Sequence, residues 1–142
     1  MPDQLPDVPG GAHLRTVAMP RDANASGDIF GGWTLSQMDL AGGTFAVSHC
    51  GRRVVTVKID AVEFLEPVHV GDDVQVFCRL EHEGRSSVAV GIGVWARSRG
   101  GGGAHKVTEG VFTYVAVDEN GKPVPIELEL RASGCAWQTW RW

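Results

Sequence analysis

Asp39 is the only Asp, Glu, Lys or Arg between Gly31 and Cys50, and apolar residues such as Trp33, Leu35, Met38, Phe45 and Val47 surround it. An ionised carboxylate in apolar surroundings is costly without partners. Such a residue is a candidate general base or nucleophile. The ordinary structural reading is a carboxylate on the one wet stripe of a helix, or one paired with Arg52 or Arg53. Ahead of it stand Gly31 and Gly32. If they open a helix, their N–H groups point outward with partial positive charge. With no side chain in the way, a ligand oxygen can approach them closely, the geometry of an oxyanion hole. The ordinary reading is a plain helix start. From Gly31 to Asp39 the helix advances about 10–12 Å, too far for both to touch one carbonyl within a chain. A second copy could bring its Asp39 to the first copy's Gly31. Asn24, in "DANASGD", could orient a water or a carbonyl, although Asx turns are the common use of Asn there.

Other chemistries find little purchase. No Ser lies in a GxSxG elbow, and His13, His49, His69, His82 and His105 show no metal-ligand spacing. Gly100–Gly103 lacks the Lys and helix of a phosphate loop. Cys50, Cys78 and Cys135 are odd in number and contain no CxxC. Arg85, Arg97, Arg99 and Lys106 flank loops; they serve solubility, or meet an anionic ligand if they cluster in space.

The elements that must position these groups follow from periodicity. The chain has 142 residues, a net charge of −4 and no basic footprint for nucleic acid. Neither a signal peptide nor a membrane-length apolar run is evident, so a soluble cytoplasmic protein is expected. Residues 1–12 read as a flexible lead-in, 13–128 as the one domain and 129–142 as a Trp-rich tail. Leu14–Pro20 reads as a strand, Arg21–Asp28 as a loop and Gly31–Cys50 as a helix apolar nearly all round, hence buried. The period then becomes two. Val55, Val57, Ile59 and Ala61 share one face, and the parity slips at Ala61–Val62, where a bulge is expected. Val74–Leu80, Val88–Val94 and Val107–Val117 alternate in the same way, separated by turn-rich segments. The pattern predicts four strands in hairpin succession, antiparallel, curving around the helix. The uncovered remainder should pack on another subunit.

"MPRDANASGDIFGGWTLSQMDLAGG" (Met19–Gly43) resembles the signature of YciA-type acyl-CoA thioesterases, a hotdog-fold family. "FLEPVHVGDDV", "GRSSVAVGIGVWAR" and "KVTEGVFTYVAVDENGKPVPI" are similar to that family in the same order, over roughly residues 14–128. The resemblance implies an α+β hotdog fold, with a long central helix wrapped by a five-stranded antiparallel sheet. It implies hydrolysis of acyl-CoA to acid and CoA, within fatty acid metabolism. It implies hexamers built as trimers of dimers, the dimer being the minimal active unit. No metal cofactor is implied, coenzyme A being part of the substrate, and neither nucleic acid nor membrane is an expected partner. Position by position, Asp39 takes the catalytic carboxylate, Asn24 the loop asparagine and Gly31 the oxyanion donor. Gly32, Thr56, Lys58, Arg85, Ser86 and Ser87 map to substrate-binding positions, with Thr56 and Lys58 beside pantetheine and the last three near the CoA phosphates. The chain departs from the family in its glycine-rich Arg97–Lys106 loop, at Lys58, and in the Trp-rich tail. Many hotdog thioesterases carry His directly before the Gly pair; Phe30 stands here, as in the YciA branch.

Two rivals share the expected fold. One is a non-hydrolytic acyl-CoA binder or sensor, against which the complete set of Asn24, Gly31 and Asp39 argues. The other is a dehydratase of hydroxyacyl thioesters, which needs a His where Phe30 stands.

Overall fold

The computed structural model describes residues 4–126. The Trp-rich tail lies outside the described residues. A short strand β1 (Leu14–Val17) is followed by a long helix α1 (Gly31–Cys50) and four strands: β2 (Val54–Phe64), β3 (Asp73–Glu83), β4 (Ser87–Arg97) and β5 (His105–Ala116). All pairings are antiparallel, in the order β1-β3-β4-β5-β2.

This order corrects the expected hairpin succession. β3, β4 and β5 do follow one another as hairpins, but β2 crosses to the far edge and pairs with β5. The connection Leu65–Asp72 therefore carries the chain from one edge towards the other and leaves room for α1 between them. Segments Val74–Val76 and Val88–Val94 present alternate valines to the helix side, where Val74, Val76, Val88, Val90, Ile92 and Val94 are fully buried. Each such side chain contributes roughly 1.5–3 kcal/mol of burial.

The helix meets this layer with one stripe: Thr34, Met38, Ala41, Gly42, Ala46, His49 and Cys50 are buried. The spacing is that of one helix face. It is therefore buried on one side only, and Leu40 and Val47 face outward. Gly51 ends the helix in the left-handed conformation (φ 67°), and its N–H bonds Val47 O at 2.9 Å.

Strand β2 departs twice from regular pairing, once between Thr56 and Lys58 and once between Asp60 and Glu63. The second irregularity lies at the expected Ala61–Val62 bulge, where Ala61 takes φ +53°. The first, at Val57, reverses the facing of the strand's middle. Thr56 stands opposite Tyr114 and Ile59 opposite Phe112, both core residues; Lys58 stands opposite Thr113 on the outer face.

Residues of the lead-in do not stand free. Val8 is buried with Phe77, Trp95 and Ala104 in a second apolar cluster, with Leu5 and Ala12 packed against it. Phe77 and Trp95 meet edge to face at 5.5 Å. Residues 5–12 thus lie across the outer face of the sheet. Among the described residues no helix is long and apolar enough to cross a membrane.

Candidate active site

Asp39 lies on the third turn of α1, half-buried at the margin of its core-facing stripe. Two hydroxyls reach it. Thr56 Oγ1 donates to Asp39 Oδ1 at 2.8 Å, and Tyr114 Oη donates to the same oxygen at 3.0 Å. Tyr114 Oη also lies 3.4 Å from the Asp39 carbonyl oxygen. Asp39 pairs with neither Arg52 nor Arg53, and its Oδ2 has no partner among the described residues.

Tyr114 is the only tyrosine in the chain and is almost fully buried. Burial, and then the Asp39 charge, push its phenol well above the usual value. It is therefore held protonated, as a donor. Gly42 makes the approach possible: a Cβ there would run into Tyr114 Oη and Ile92 Cδ1. The helix glycine thus accommodates sheet side chains rather than another backbone.

At the other end of the site, α1 begins without a conventional cap. Phe30 occupies the N-cap, makes no side-chain cap bond, and no acidic residue stands in the first turn. The Trp33 and Thr34 N–H groups bond Phe30 O, leaving the N–H groups of Gly31 and Gly32 directed out of the helix. Asp28 does not cap it; its N–H and that of Ser26 both bond Asn24 Oδ1, at 3.1 and 2.9 Å. Gly31 lines a groove of about 410 Å³ with Ile29, Thr34, Phe64, Glu66 and Val68. The Phe64 ring closes one wall, 3.3 Å from where a Gly31 Cβ would be. Asp39 does not line this groove.

Asn24 forms the Asx turn that its local sequence favours. Its Oδ1 is occupied by the loop, so only its Nδ2 donors remain for a ligand. That narrows its chemistry to donating towards an oxygen.

The remaining expected residues separate. Thr56 joins Asp39; Lys58 does not, because the irregularity at Val57 turns it to the outer face, where it pairs with Asp60 at 3.1 Å. Arg85, Ser86 and Ser87 form the β3–β4 turn beside the helix C-terminus: the Ala116 N–H bonds Ser86 O, and His49 at the helix end meets Glu83 at 2.9 Å. This turn is nearly a helix length, about 30 Å for 20 residues, from Gly31. Arg97, Arg99 and Lys106 flank the β4–β5 connection at the opposite end, and Lys106 pairs with Glu109 at 2.7 Å. The loop cations therefore form no common cluster. Among the described residues no group of three His, Cys, Asp or Glu gathers as for a metal ion.

Tyr114 was not singled out by the sequence. The available signal was a lone tyrosine at an inward position of β5, in a chain whose helix carries adjacent glycines.

The profile of the thioesterase superfamily matches residues 26–102. The chain belongs to the thioesterase superfamily. Among its relatives is the acyl-CoA thioester hydrolase YciA of Salmonella typhimurium, 47% identical over 119 residues, covering 82% of this chain and 90% of that one. The superfamily fold is shared with a hexameric thioesterase of Yersinia pestis, with a TM-score of 0.80 and 47% identity over 87% of this chain and 99% of the other. The acyl-CoA hydrolase of Staphylococcus aureus, solved with butyryl coenzyme A and coenzyme A, matches with a TM-score of 0.74 and 28% identity, over 80% of this chain and 69% of that one. Alanine variants of that hydrolase at one asparagine and one aspartate have also been solved, and the two positions have the same separation as Asn24 and Asp39.

Proposed function

We propose that this chain hydrolyses acyl-CoA thioesters to a free carboxylic acid and CoA, at a site completed by two copies. The observation that carries this reading is Asp39: a helix carboxylate oriented by Thr56 and Tyr114, in a chain of this superfamily. The thioester carbonyl oxygen accepts from Gly31 N–H at the bare helix end. Such a donor is worth about 3 kcal/mol in the transition state. Asn24 donates through Nδ2 to the carbonyl oxygen or to water. Asp39 of the second copy acts in one of two ways. As a base, it takes a proton from water while the water oxygen bonds the carbonyl carbon; the C–S bond then breaks and the proton passes to the CoA sulfur. As a nucleophile, its carboxylate oxygen bonds the carbonyl carbon while the C–S bond breaks and CoA leaves as thiolate; water then cleaves the anhydride, which releases the acid and restores the Asp39 carboxylate, and the proton given up passes to the CoA sulfur.

The two-copy arrangement rests on distance. Within one chain Gly31 and Asp39 are about 12 Å apart along the axis. A two-fold axis that sets Asp39 of one copy beside Gly31 of the other runs the helices antiparallel. The second copy's Arg85–Ser87 turn then lies beyond the first copy's Gly31, on the side from which a CoA arm would enter. The hexameric relatives support a homo-oligomer, which this reading builds as a trimer of such dimers.

Thiol release assayed over acyl-CoAs of increasing length, with and without Asp39→Ala or Asp39→Asn, tests the reading. Turnover should fall at least a thousandfold in both variants while CoA binding and fold persist. Near-normal thiol release by either variant would remove Asp39 from the mechanism; an inactive wild type across the panel would favour a binding protein.

A further inference from the structure

Two donors converge on one oxygen of Asp39. Thr56 Oγ1 at 2.8 Å and Tyr114 Oη at 3.0 Å both address Oδ1, and none of the described residues addresses Oδ2. They come from neighbouring strands at directly opposed positions, Thr56 on β2 and Tyr114 on β5. The irregularity at Val57 comes just after this pair, so Thr56 keeps its register with Tyr114 while the next residues turn over.

We propose that Tyr114 is a positioning residue for thioester hydrolysis: with Thr56 it pins Oδ1, and so presents Oδ2 as the oxygen that meets water or the thioester carbon. This rests on the assignment of Asp39 given above.

The geometry separates the two oxygens by function. An oxygen that already accepts two hydroxyl hydrogens has little lone-pair density left for a water proton or a carbon. The other keeps its lone pairs unoccupied and its freedom of approach. Fixing one oxygen also fixes the carboxylate plane, which limits the misorientation that degrades a near-attack geometry. Gly42 maintains the arrangement by leaving space for the hydroxyl against the helix. The tyrosine does not touch the substrate in this scheme; it acts through Asp39.

The test is epistasis. Tyr114→Phe keeps the ring in the core and removes only the donor. It should lower kcat about tenfold to a hundredfold, the worth of a hydrogen bond to a charged group, with KM changed less than about twofold. In an Asp39→Ala background the same substitution should change the residual rate by less than about twofold, because there is no longer a carboxylate to orient. Thr56→Val should behave in the same way, and carries the test on its own if Tyr114→Phe does not fold. Unchanged kcat in Tyr114→Phe overturns the proposal, as does an equal fractional loss with and without Asp39, the mark of a purely structural tyrosine. A wild-type rate in Asp39→Ala itself would instead overturn the assignment of Asp39, a result distinct from either.

Discussion

At the scale of residues, many polar side chains among the described residues have particular partners. His13 is an example outside the site. Its Nδ1 accepts the Cys78 N–H at 3.0 Å, and its ring meets Phe45 edge to face at 5.5 Å. That bond requires a neutral ring, and burial lowers the His13 value below the ordinary 6.5. Above 6.5 both folded and unfolded chains carry a neutral ring, and the contribution to stability is complete. Below it the unfolded chain binds the proton first, so stability falls as pH falls towards the lowered folded value. Urea midpoints should therefore drop between pH 7.5 and 5.5, and His13→Asn, which keeps an acceptor, should flatten that drop. An equally steep decline in the variant would assign the effect to other groups. Asn24 shows the same economy: legible as an Asx turn, it still keeps two donors for a ligand, and only the folded loop reveals which of its atoms remain available.

At the scale of elements, α1 was fully legible from Gly31 to Cys50, because a capless glycine start, a long apolar run and a glycine stop bracket it. Strand β2 was legible only in part. Its bulge at Ala61–Val62 showed as a parity slip, whereas the irregularity at Val57 left no mark: Val55, Val57 and Ile59 alternate as if the strand were regular. Apolar residues on both faces of an edge strand conceal a change of facing, which is why the sequence does not show that Lys58 turns away from Thr56. Ala61 holds a left-handed conformation (φ +53°) at which a side chain costs about 1–2 kcal/mol. Glycine removes that cost but gives back some entropy in the unfolded chain. Ala61→Gly should therefore raise stability by up to about 1 kcal/mol in denaturant unfolding. A loss of stability would mean that the methyl group packs more favourably than the backbone is strained.

At the scale of the whole molecule, one flank is unfinished. β2 is a sheet edge, and Val57 (54% exposed), Ile59 and Phe64 on it lie with Leu40 (57% exposed) of α1 on the surface. An apolar edge strand of this length is a pairing surface in waiting. It lies where the proposed site needs a second copy. Ile59→Lys, placing a charge on that edge, should reduce the assembly to smaller species by analytical ultracentrifugation and abolish thiol release in parallel. A dissociated yet fully active chain would mean that one copy holds the complete site.

The sequence by itself determined the class of chemistry through its motifs: the stretch from Met19 to Gly43 resembles a thioesterase signature, whereas residue type and spacing alone left an ordinary structural reading open for Asp39, Gly31 and Asn24. It also determined which segments become strands, since alternation is a local pattern. The tertiary structure decided which strand edges remain open, because the crossover of β2 to β5 depends on how a long helix is covered and not on any one segment. It decided, too, that Tyr114 and Thr56 meet at one oxygen of Asp39. That convergence joins three distant stretches of chain through the register of two strands and the space left by one glycine, none of which is written in the neighbourhood of any single residue.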